Sequence, residues 1–168
     1  ASMMAAGRGW CAQRCGAIVE NFLSFTRATP NQKKPVDLRL VTEAVLQLSQ
    51  AHLKVGQISV TKDFAQTLPA VVCNFQQMEQ VLVNLVRNAL DSLLQLTENR
   101  ELVIAISADS GKVRLEVSDN GPGISEERLP RIFEPFFTTK EQGSGSGLGL
   151  SICRQIVELY GGTISVRS

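Results

Sequence analysis

The sequence predicts an α+β domain, because segments with helical periodicity and segments with strand periodicity both occur along its 168 residues. A chain of this length buries one substantial hydrophobic core. Apolar residues recur at helical spacing in three segments, 37–52, 77–96 and 150–160. Strand-like alternation occurs in three others, 57–62, 102–107 and 112–118, of which the last two are joined as a hairpin by the turn residues 109–111.

The N-terminal part contains one amphipathic segment, residues 8–27. Its apolar residues recur at steps of four, three, four and three, at Cys11, Cys15, Ile18, Phe22 and Phe25. This spacing is typical of a helix in a coiled coil or bundle, although the segment could equally pack on its own domain. Proline and lysine residues follow it. We therefore predict a helical region in 1–29, a linker in 30–36 and one domain in 37–168.

The first helix of that domain is expected to begin after Asp37, a favoured N-cap residue. His52 lies near the end of this helix, where a histidine usually interacts with the helix dipole rather than acting in catalysis. Residues 71–73 predict a short edge strand, 126–137 a short helix and 163–167 a strand. The apolar face predicted for the first helix consists of Leu40, Val41, Ala44, Val45, Leu48 and Ala51.

The second helix carries a stripe of polar residues on an otherwise apolar surface. Its members lie within an arc of about 80° and are Gln80, Asn84, Asn88 and Asp91. The apolar residues Val83, Leu90 and Leu94 lie on the other side of the polar stripe, so that apolar residues border it on both sides. We therefore expect the stripe to face a pocket rather than open water. An unpaired buried carboxamide costs about 1–3 kcal/mol, so the stripe needs partners. A ligand could supply them, and so could a polar network with neighbouring helices.

Two loops carry further candidate groups. Asp119, with Gly121 and Gly123 after it, lies at a predicted strand end, where a carboxylate can accept from an amino group. In the second loop Lys140 precedes glycines that expose backbone N–H groups before a helix, an arrangement to which phosphates bind. Each loop alone could be an ordinary surface turn. These glycines are Gly145, Gly147 and Gly149.

Composition excludes several other classes of protein. The net charge of +1 argues against a nucleic-acid binder. Four cysteines without C-x-x-C spacing argue against a structural zinc site and favour reduced thiols in the cytoplasm. No apolar run reaches the roughly 18 residues of a membrane span. The G-x-G-x-x-G motif and the P-loop are both absent.

Taken together, the motifs resemble those of bacterial sensor histidine kinases. Residues 84–89 resemble the N box of that family, 119–123 the G1 box, 133–137 the F box and 145–149 the G2 box, all in family order. The likeness covers most of residues 35–168, and Asn-Ala-Leu-Asp at residues 88–91, which begins inside the N box, is similar to the sequence in kinases of the nitrogen-regulation type. It implies the Bergerat fold, a two-layer α/β sandwich whose mixed sheet is covered on one face by helices, with an ATP lid between the F and G2 boxes.

The resemblance also implies roles for individual residues. Gln80 and Asn84 take the catalytic positions, although a glutamine can only orient a group by hydrogen bonding and cannot accept a proton. Asn88 would ligate Mg²⁺, and Asp119 would bind the adenine amino group. Gyrase-like ATPases of the same fold carry a glutamate at the position of Asn84, so hydrolysis here should be slow. The residues implied to bind the nucleotide are Asn84, Asn88, Asp91, Asp119, Gly121, Gly123, Ile124, Phe137, Lys140, Gly145, Gly147, Leu148 and Gly149.

The implied activity is transfer of the γ-phosphoryl group of ATP, with Mg²⁺, to a histidine outside this chain and then to a response regulator aspartate. His52 lacks the His-Glu or His-Asp context of an acceptor, so the chain should bind ATP without phosphorylating itself. Residues 8–27 are similar to the end of the dimerisation hairpin, which implies a homodimer of the full-length protein, and a final strand is expected after Ser168. The alternatives are a serine kinase of the anti-sigma-factor type and a nucleotide-binding module that transfers no phosphate.

Overall fold

The computed structural model describes residues 32–140 and 145–168. The helical region predicted in 1–29, and residues 141–144 of the glycine-rich loop, lie outside the described residues. The helices are α1 (Leu38–Val55), α2 (Phe75–Leu93) and α3 (Gly149–Leu159), with a 3₁₀ turn at Leu129–Arg131. The strands are β1 (Lys34–Val36), β2 (Ile58–Phe64), β3 (Val71–Cys73), β4 (Arg100–Asp109) and β5 (Lys112–Asp119).

The main sheet is mixed and has the order β2-β4-β5. Its central strand, β4, runs parallel to β2 and antiparallel to β5, so that Ile104 lies between Lys62 and Val117. The hairpin predicted from the turn residues 109–111 is therefore confirmed. The β1 and β3 strands form a separate antiparallel pair in which Pro35 lies opposite Val72.

Within residues 32–140 and 145–168, helices cover one face of the main sheet and no helix covers the other. Leu102, Ile104 and Ile106 of β4 are fully buried, whereas Glu101 and Ser107, which point to the opposite face, are exposed. The helices contribute Val41, Val45, Leu82, Val86 and Leu93 to the same core. This confirms the predicted α+β architecture with a mixed sheet and a single helical layer.

The ends of α1 and α2 are held by side chains. Asp37 accepts a hydrogen bond from the Arg39 backbone N–H at 2.9 Å, as predicted for an N-cap. Hydrogen bonding from the Arg39 side chain holds the pKa of the Asp37 carboxyl below its ordinary value. Arg100 donates to the carbonyls of Leu93 at 3.0 Å and Gly56 at 2.6 Å, so it joins the end of α2 to the loop after α1.

Helix α3 lies antiparallel to α2. Asn84 donates to the Gly149 carbonyl at the start of α3, whereas Tyr160, just after the end of α3, lies at the start of α2. The Tyr160 hydroxyl accepts from the Asn74 backbone N–H at 3.1 Å and donates to the Gln77 side-chain oxygen. This packing brings the start of α3 beside the polar stripe. A small core of Val81, Cys153 and Ile156 lies between the two helices.

The apolar face predicted for α1 was partly wrong. Val41 and Val45 are buried as expected, but Leu40 and Leu48 are exposed, and the core contains Thr42 in their place. The Thr42 hydroxyl donates to the Leu38 carbonyl at 2.9 Å, which satisfies the polar group and lets this side chain be buried. The predicted far flank of α2 was wrong in a similar way, because Val83 and Leu94 are exposed and only Leu90 is buried.

Three further segments differ from their predictions. In place of a helix over 126–137 only the 3₁₀ turn forms, since Pro135 cannot supply the N–H that a continued helix needs. Residues 163–167 form no strand, because no strand of the described chain pairs with them. The predicted linker 30–36 contains β1, which the proline content did not suggest. None of the helices in the described ranges has the length and hydrophobicity to cross a membrane.

Candidate functional site

The polar stripe of α2 lies at the boundary of the core. Gln80, Asn84, Asn88 and Asp91 are all partly buried, as the helical spacing predicted. The Asn84 amide nitrogen donates to the Gly149 carbonyl at 3.4 Å, which joins the N box to the end of the G2 box. The first turn of α3 therefore meets the middle of the stripe, 65 residues earlier in the chain.

Asp119 ends β5 and faces the C-terminal part of α2. The Ser92 hydroxyl donates to Asp119 Oδ1 at 2.9 Å, and the Gly121 N–H donates to the same oxygen at 2.9 Å. No described residue donates a hydrogen bond to Oδ2. The carboxylate is thus held through one oxygen, and the other oxygen can accept from a ligand.

Gly121 allows this close approach between the G1 loop and α2. A Cβ atom at position 121 would lie 1.9 Å from Ser92 Oγ and 2.6 Å from Asp119 Oδ1. Both distances are far below any real contact, so a side chain at position 121 would displace Ser92 Oγ and Asp119 Oδ1 from their hydrogen bond. Further along this loop, Gly123 has φ of 77°, and the Ile124 N–H donates to Ser168 Oγ at 2.5 Å.

Asn120 fixes the other side of the G1 loop. Its side-chain oxygen accepts from the Glu101 N–H at 2.9 Å, and its side-chain nitrogen donates to the Asn99 carbonyl at 2.6 Å. These bonds tie the loop to the start of β4. Asp119 is consequently held between two anchored elements, the sheet edge and α2.

Lys140 follows the F box and pairs with the last residue of the stripe. Its ammonium group forms an ion pair with the Asp91 carboxylate, and the two side chains are 31% and 39% exposed. Two residues that the resemblance assigned to the nucleotide therefore neutralise each other in this structure. Nearby, the Arg131 guanidinium lies 4.6 Å from the ring centre of Phe137, a cation–π contact that packs the F box.

The F box and the G2 box are in direct backbone contact. The Phe136 N–H donates to the Gly147 carbonyl at 2.8 Å. A Cβ atom on Gly147 would lie 2.4 Å from the Phe136 carbonyl carbon, so a side chain cannot be placed there. Gly145 is partly buried beside Thr138, and the Leu148 N–H donates to Ser146 Oγ at 3.3 Å as α3 begins.

Cys153 lies on the buried side of α3, one turn after Gly149. Its thiol donates to the Val81 carbonyl at 3.6 Å and has no exposed surface. Burial raises the pKa of the Cys153 thiol to about 11, although a hydrogen bond from Asn84 acts in the opposite direction. The thiol is therefore neutral at physiological pH. Cys73 is likewise a buried free thiol.

Ser92 is a site residue that the sequence analysis missed. It continues the four-residue steps from Asn84 and Asn88, and this spacing was a signal that could have found it. The structure brings Asn84, Asp91, Asp119, Lys140 and the G2 glycines to one side of the domain through the contacts described above. Gln80 and Asn88 lie on the same stripe, and their assigned roles stay predictions.

Comparisons with known proteins identify the family of this chain. The family model of histidine kinase-, DNA gyrase B-, and HSP90-like ATPases matches residues 73–168, more than half of the chain. Sensor protein FixL of Bradyrhizobium diazoefficiens is 37% identical over 160 residues, which are 94% of this chain and 31% of FixL. This chain spans between 16% and 33% of the length of the curated relatives compared with it.

Solved structures of histidine kinases have the same fold as this chain. The catalytic domain of histidine kinase ThkA aligns with a TM-score of 0.68 and 35% identity, over 77% of this chain and 82% of that domain. A structure of histidine kinase ThkA in complex with response regulator protein TrrA aligns with a TM-score of 0.71 and 30% identity, over 90% of this chain and 42% of that one.

Proposed function

Since the chain belongs to the family of histidine kinase-, DNA gyrase B-, and HSP90-like ATPases, we propose that it transfers the γ-phosphoryl group of ATP to a protein histidine. Within that family it is an ATP-binding catalytic domain of the histidine kinase type. The observation that supports the nucleotide-binding part of the proposal is the Asp119 carboxylate, held through Oδ1 while Oδ2 accepts no hydrogen bond from the described chain.

The adenine end of the nucleotide is assigned to the G1 loop. Asp119 Oδ2 would accept from the exocyclic amino group, and the missing side chain at Gly121 lets the G1 loop lie close enough to α2 for Ser92 to hold Oδ1. Gly123 and Ile124 complete this side of the site. The charge-assisted hydrogen bond favours adenine over guanine, which carries an acceptor where adenine has its amino group.

The phosphate end is assigned to the stripe and the G2 glycines. Lys140 supplies the positive charge, and the start of α3 from Gly147 to Gly149 supplies backbone N–H groups and the helix dipole. Asn88 would hold Mg²⁺ through its carboxamide oxygen, with Asn84 beside it, and these oxygen donors suit that ion. When bound, the metal neutralises charge on the phosphates. Leu148 and Phe137 border this region.

Transfer to a protein, rather than to water, is the reaction that these residues favour. Neither Gln80 nor Asn84 can take a proton from water at neutral pH, so activation of water for hydrolysis is poor. Phosphoryl transfer depends mainly on positioning and charge neutralisation, which the site can supply. Gln80 would then orient a group by hydrogen bonding.

We propose that the acceptor histidine belongs to a dimerisation hairpin outside this chain, in which His52 is the single histidine. His52 is exposed at the end of α1, and its backbone carbonyl accepts from the Gly56 N–H at 2.8 Å as part of the helix end. The further partners we propose are the receiver domain of a response regulator, as in the ThkA complex, and a second copy of the full-length protein in a homodimer. We propose a cytoplasmic location for this domain.

The test uses ATP labelled on the γ-phosphate. The chain alone should bind the nucleotide, in a magnesium-dependent manner, and acquire no label. A separate hairpin that carries an acceptor histidine should become labelled when the chain is added, and an Asp119→Asn chain should label it far more slowly. Stable label on His52, or on a serine of an added protein instead of a histidine, would contradict the proposal.

A further inference from the structure

Arg100, the first residue of β4, is partly buried and donates to backbone carbonyls of two other parts of the chain. Its Nε donates to the Leu93 carbonyl at 3.0 Å, and its Nε and Nη2 donate to the Leu96 carbonyl at 3.2 Å and 2.5 Å. Its Nη1 donates to the Gly56 carbonyl at 2.6 Å. It forms no ion pair with any carboxylate of the described ranges. The guanidinium therefore joins chain segments instead of balancing a negative charge.

Two of these carbonyls lie at the C-terminal end of α2. The last carbonyls of a helix lack partners within the helix, and they carry the negative end of its dipole. An arginine suits this position, because it supplies both hydrogen-bond donors and a positive charge. The Leu96 N–H also donates to the Leu93 carbonyl at 3.0 Å, so Arg100 closes a turn that the backbone has already tightened.

Ser92 lies in this same turn, and it holds the Asp119 carboxylate through the hydrogen bond to Oδ1 at 2.9 Å. The backbone of Asp119 is fixed from the other side, because Asp119 pairs with Leu102 of β4. The side chain of Asp119 is thus held by the end of α2, and its backbone is held by β4. Arg100 connects these two elements, two residues before Leu102.

We propose that Arg100 is a positioning residue for nucleotide binding, which keeps the last turn of α2 at a fixed distance from β4 and so directs Asp119 Oδ2 toward the adenine amino group. This inference rests on the proposed function. The neighbours of Arg100 support the other side of the G1 loop, since the Asn99 carbonyl and the Glu101 N–H both bond to the Asn120 side chain. The start of β4 therefore supports the loop from both sides.

The direction of Oδ2 depends on the bonds to Oδ1. The last torsion of an aspartate side chain is broad and roughly two-fold, so rotamer preference alone does not fix the carboxylate plane. A hydrogen bond weakens steeply as its angle departs from linear. If the turn that contains Ser92 moves away from β4, the carboxylate can rotate, and its bond to a bound base becomes weaker.

The first measurement needs no nucleotide. The Gly121 N–H donates to Asp119 Oδ1, so its hydrogen exchange reports how firmly the carboxylate is held. In Arg100→Gln this amide should exchange at least about fivefold faster relative to the amide of the fully buried Ile104, which reports global unfolding. The matched control is Arg114→Gln, on an exposed position of β5, and it should leave the ratio unchanged. An unchanged ratio in Arg100→Gln would overturn the proposal.

The second measurement is a double-mutant cycle on ADP affinity, by titration of the native chain, Arg100→Gln, Asp119→Asn and the double variant. If Arg100 acts through Asp119, Arg100→Gln should weaken ADP binding about three- to tenfold in the native background and should have no further effect in the Asp119→Asn background. The same factor in both backgrounds would show a merely structural role for Arg100 and would overturn the proposal.

Arg100→Lys is the second variant, and it keeps a positive charge and a donor at the end of α2. It should lose less affinity than Arg100→Gln, again only while Asp119 is present, and it replaces the glutamine variant in both measurements if that chain does not fold. If Asp119→Asn alone leaves ADP affinity unchanged, the adenine assignment of the proposed function is wrong, and this inference is wrong with it. If Asp119→Asn weakens binding but neither Arg100 variant does, only the role of Arg100 is refuted.

Discussion

Asp119→Asn tests the assignment of the adenine site at a single atom. In the native chain Ser92 and Gly121 both donate to Oδ1. An asparagine can keep its amide oxygen at that position, where both donors remain satisfied, but its NH₂ group then replaces Oδ2. Two donor groups, the new NH₂ and the adenine amino group, would face each other. The substitution therefore preserves the loop while it removes the acceptor.

The expected loss of nucleotide affinity follows from the hydrogen bond between adenine and Asp119 that the substitution removes. A hydrogen bond to a charged group contributes about 1.5–3 kcal/mol, which corresponds to about 10- to 160-fold weaker binding of ATP and ADP. Because the internal bonds are kept, the free energy of unfolding of the nucleotide-free protein should change by less than about 1 kcal/mol, or roughly 3 °C in melting temperature. Guanine nucleotides should lose less affinity than adenine nucleotides.

Isothermal titration with ADP and ATP measures the affinities, and thermal melting of the nucleotide-free protein measures the stability. Asp109→Asn is the matched control, since Asp109 is an exposed aspartate at the opposite end of the same hairpin. It should leave both quantities unchanged. If Asp119→Asn binds ATP as tightly as the native chain, Asp119 does not contact adenine and the assignment is wrong.

Three further predictions concern the rest of the site. Asn88→Ala should abolish the magnesium dependence of ATP binding and should change the melting temperature of the nucleotide-free protein little. If the magnesium dependence is intact and the free energy of unfolding falls by roughly 1–3 kcal/mol, Asn88 has a structural role instead. Asp91→Asn removes the charge that faces Lys140, so ATP should bind up to about fivefold more tightly, and adding Lys140→Ala should cancel the gain in the same titration. The raised pKa of Cys153, about 11, keeps the buried thiol protonated, so iodoacetamide at pH 8 should label it slowly in the folded protein and rapidly in urea. Peptide mass spectrometry measures the two rates. Rapid labelling of the folded chain would contradict the burial of this thiol.

The same pKa gives a direction for the pH dependence of stability. Burial raises the pKa of Cys153 above its unfolded value, so its neutral form is favoured in the folded state. This contribution is fully present below the unfolded pKa near 9 and is lost as the pH rises toward 11. The Asp37 carboxyl affects stability at acidic pH instead. Because its pKa is lowered in the folded state, its contribution to stability is lost as the pH falls through the folded-state pKa.

The sequence alone was sufficient for features that depend on local chemistry. Strand alternation and the turn residues 109–111 predicted the β4–β5 hairpin, and Asp37 was correctly expected to cap α1. The polar stripe of α2 was found because the helical period places residues three and four apart on one face. The order and spacing of the four boxes then indicated the family, which the comparisons confirmed.

Other features were decided only by tertiary structure. The helical period gives the angle between two side chains but not the direction in which the core lies. We therefore expected α1 to bury Leu40 and Leu48, whereas in the structure it buries Thr42 and leaves both leucines exposed. The pairing of Lys140 with Asp91 likewise joins residues 49 positions apart, and no local pattern specifies it.

The contact between Ser92 and Asp119 has the same origin. It exists because the absence of a side chain at Gly121 lets the G1 loop approach α2, and because Asn120 holds that loop to β4. The residue types of the site could therefore be read from the sequence. Their partners depend on how the sheet and three helices pack, since side chains far apart in the chain meet only when the core between them is formed.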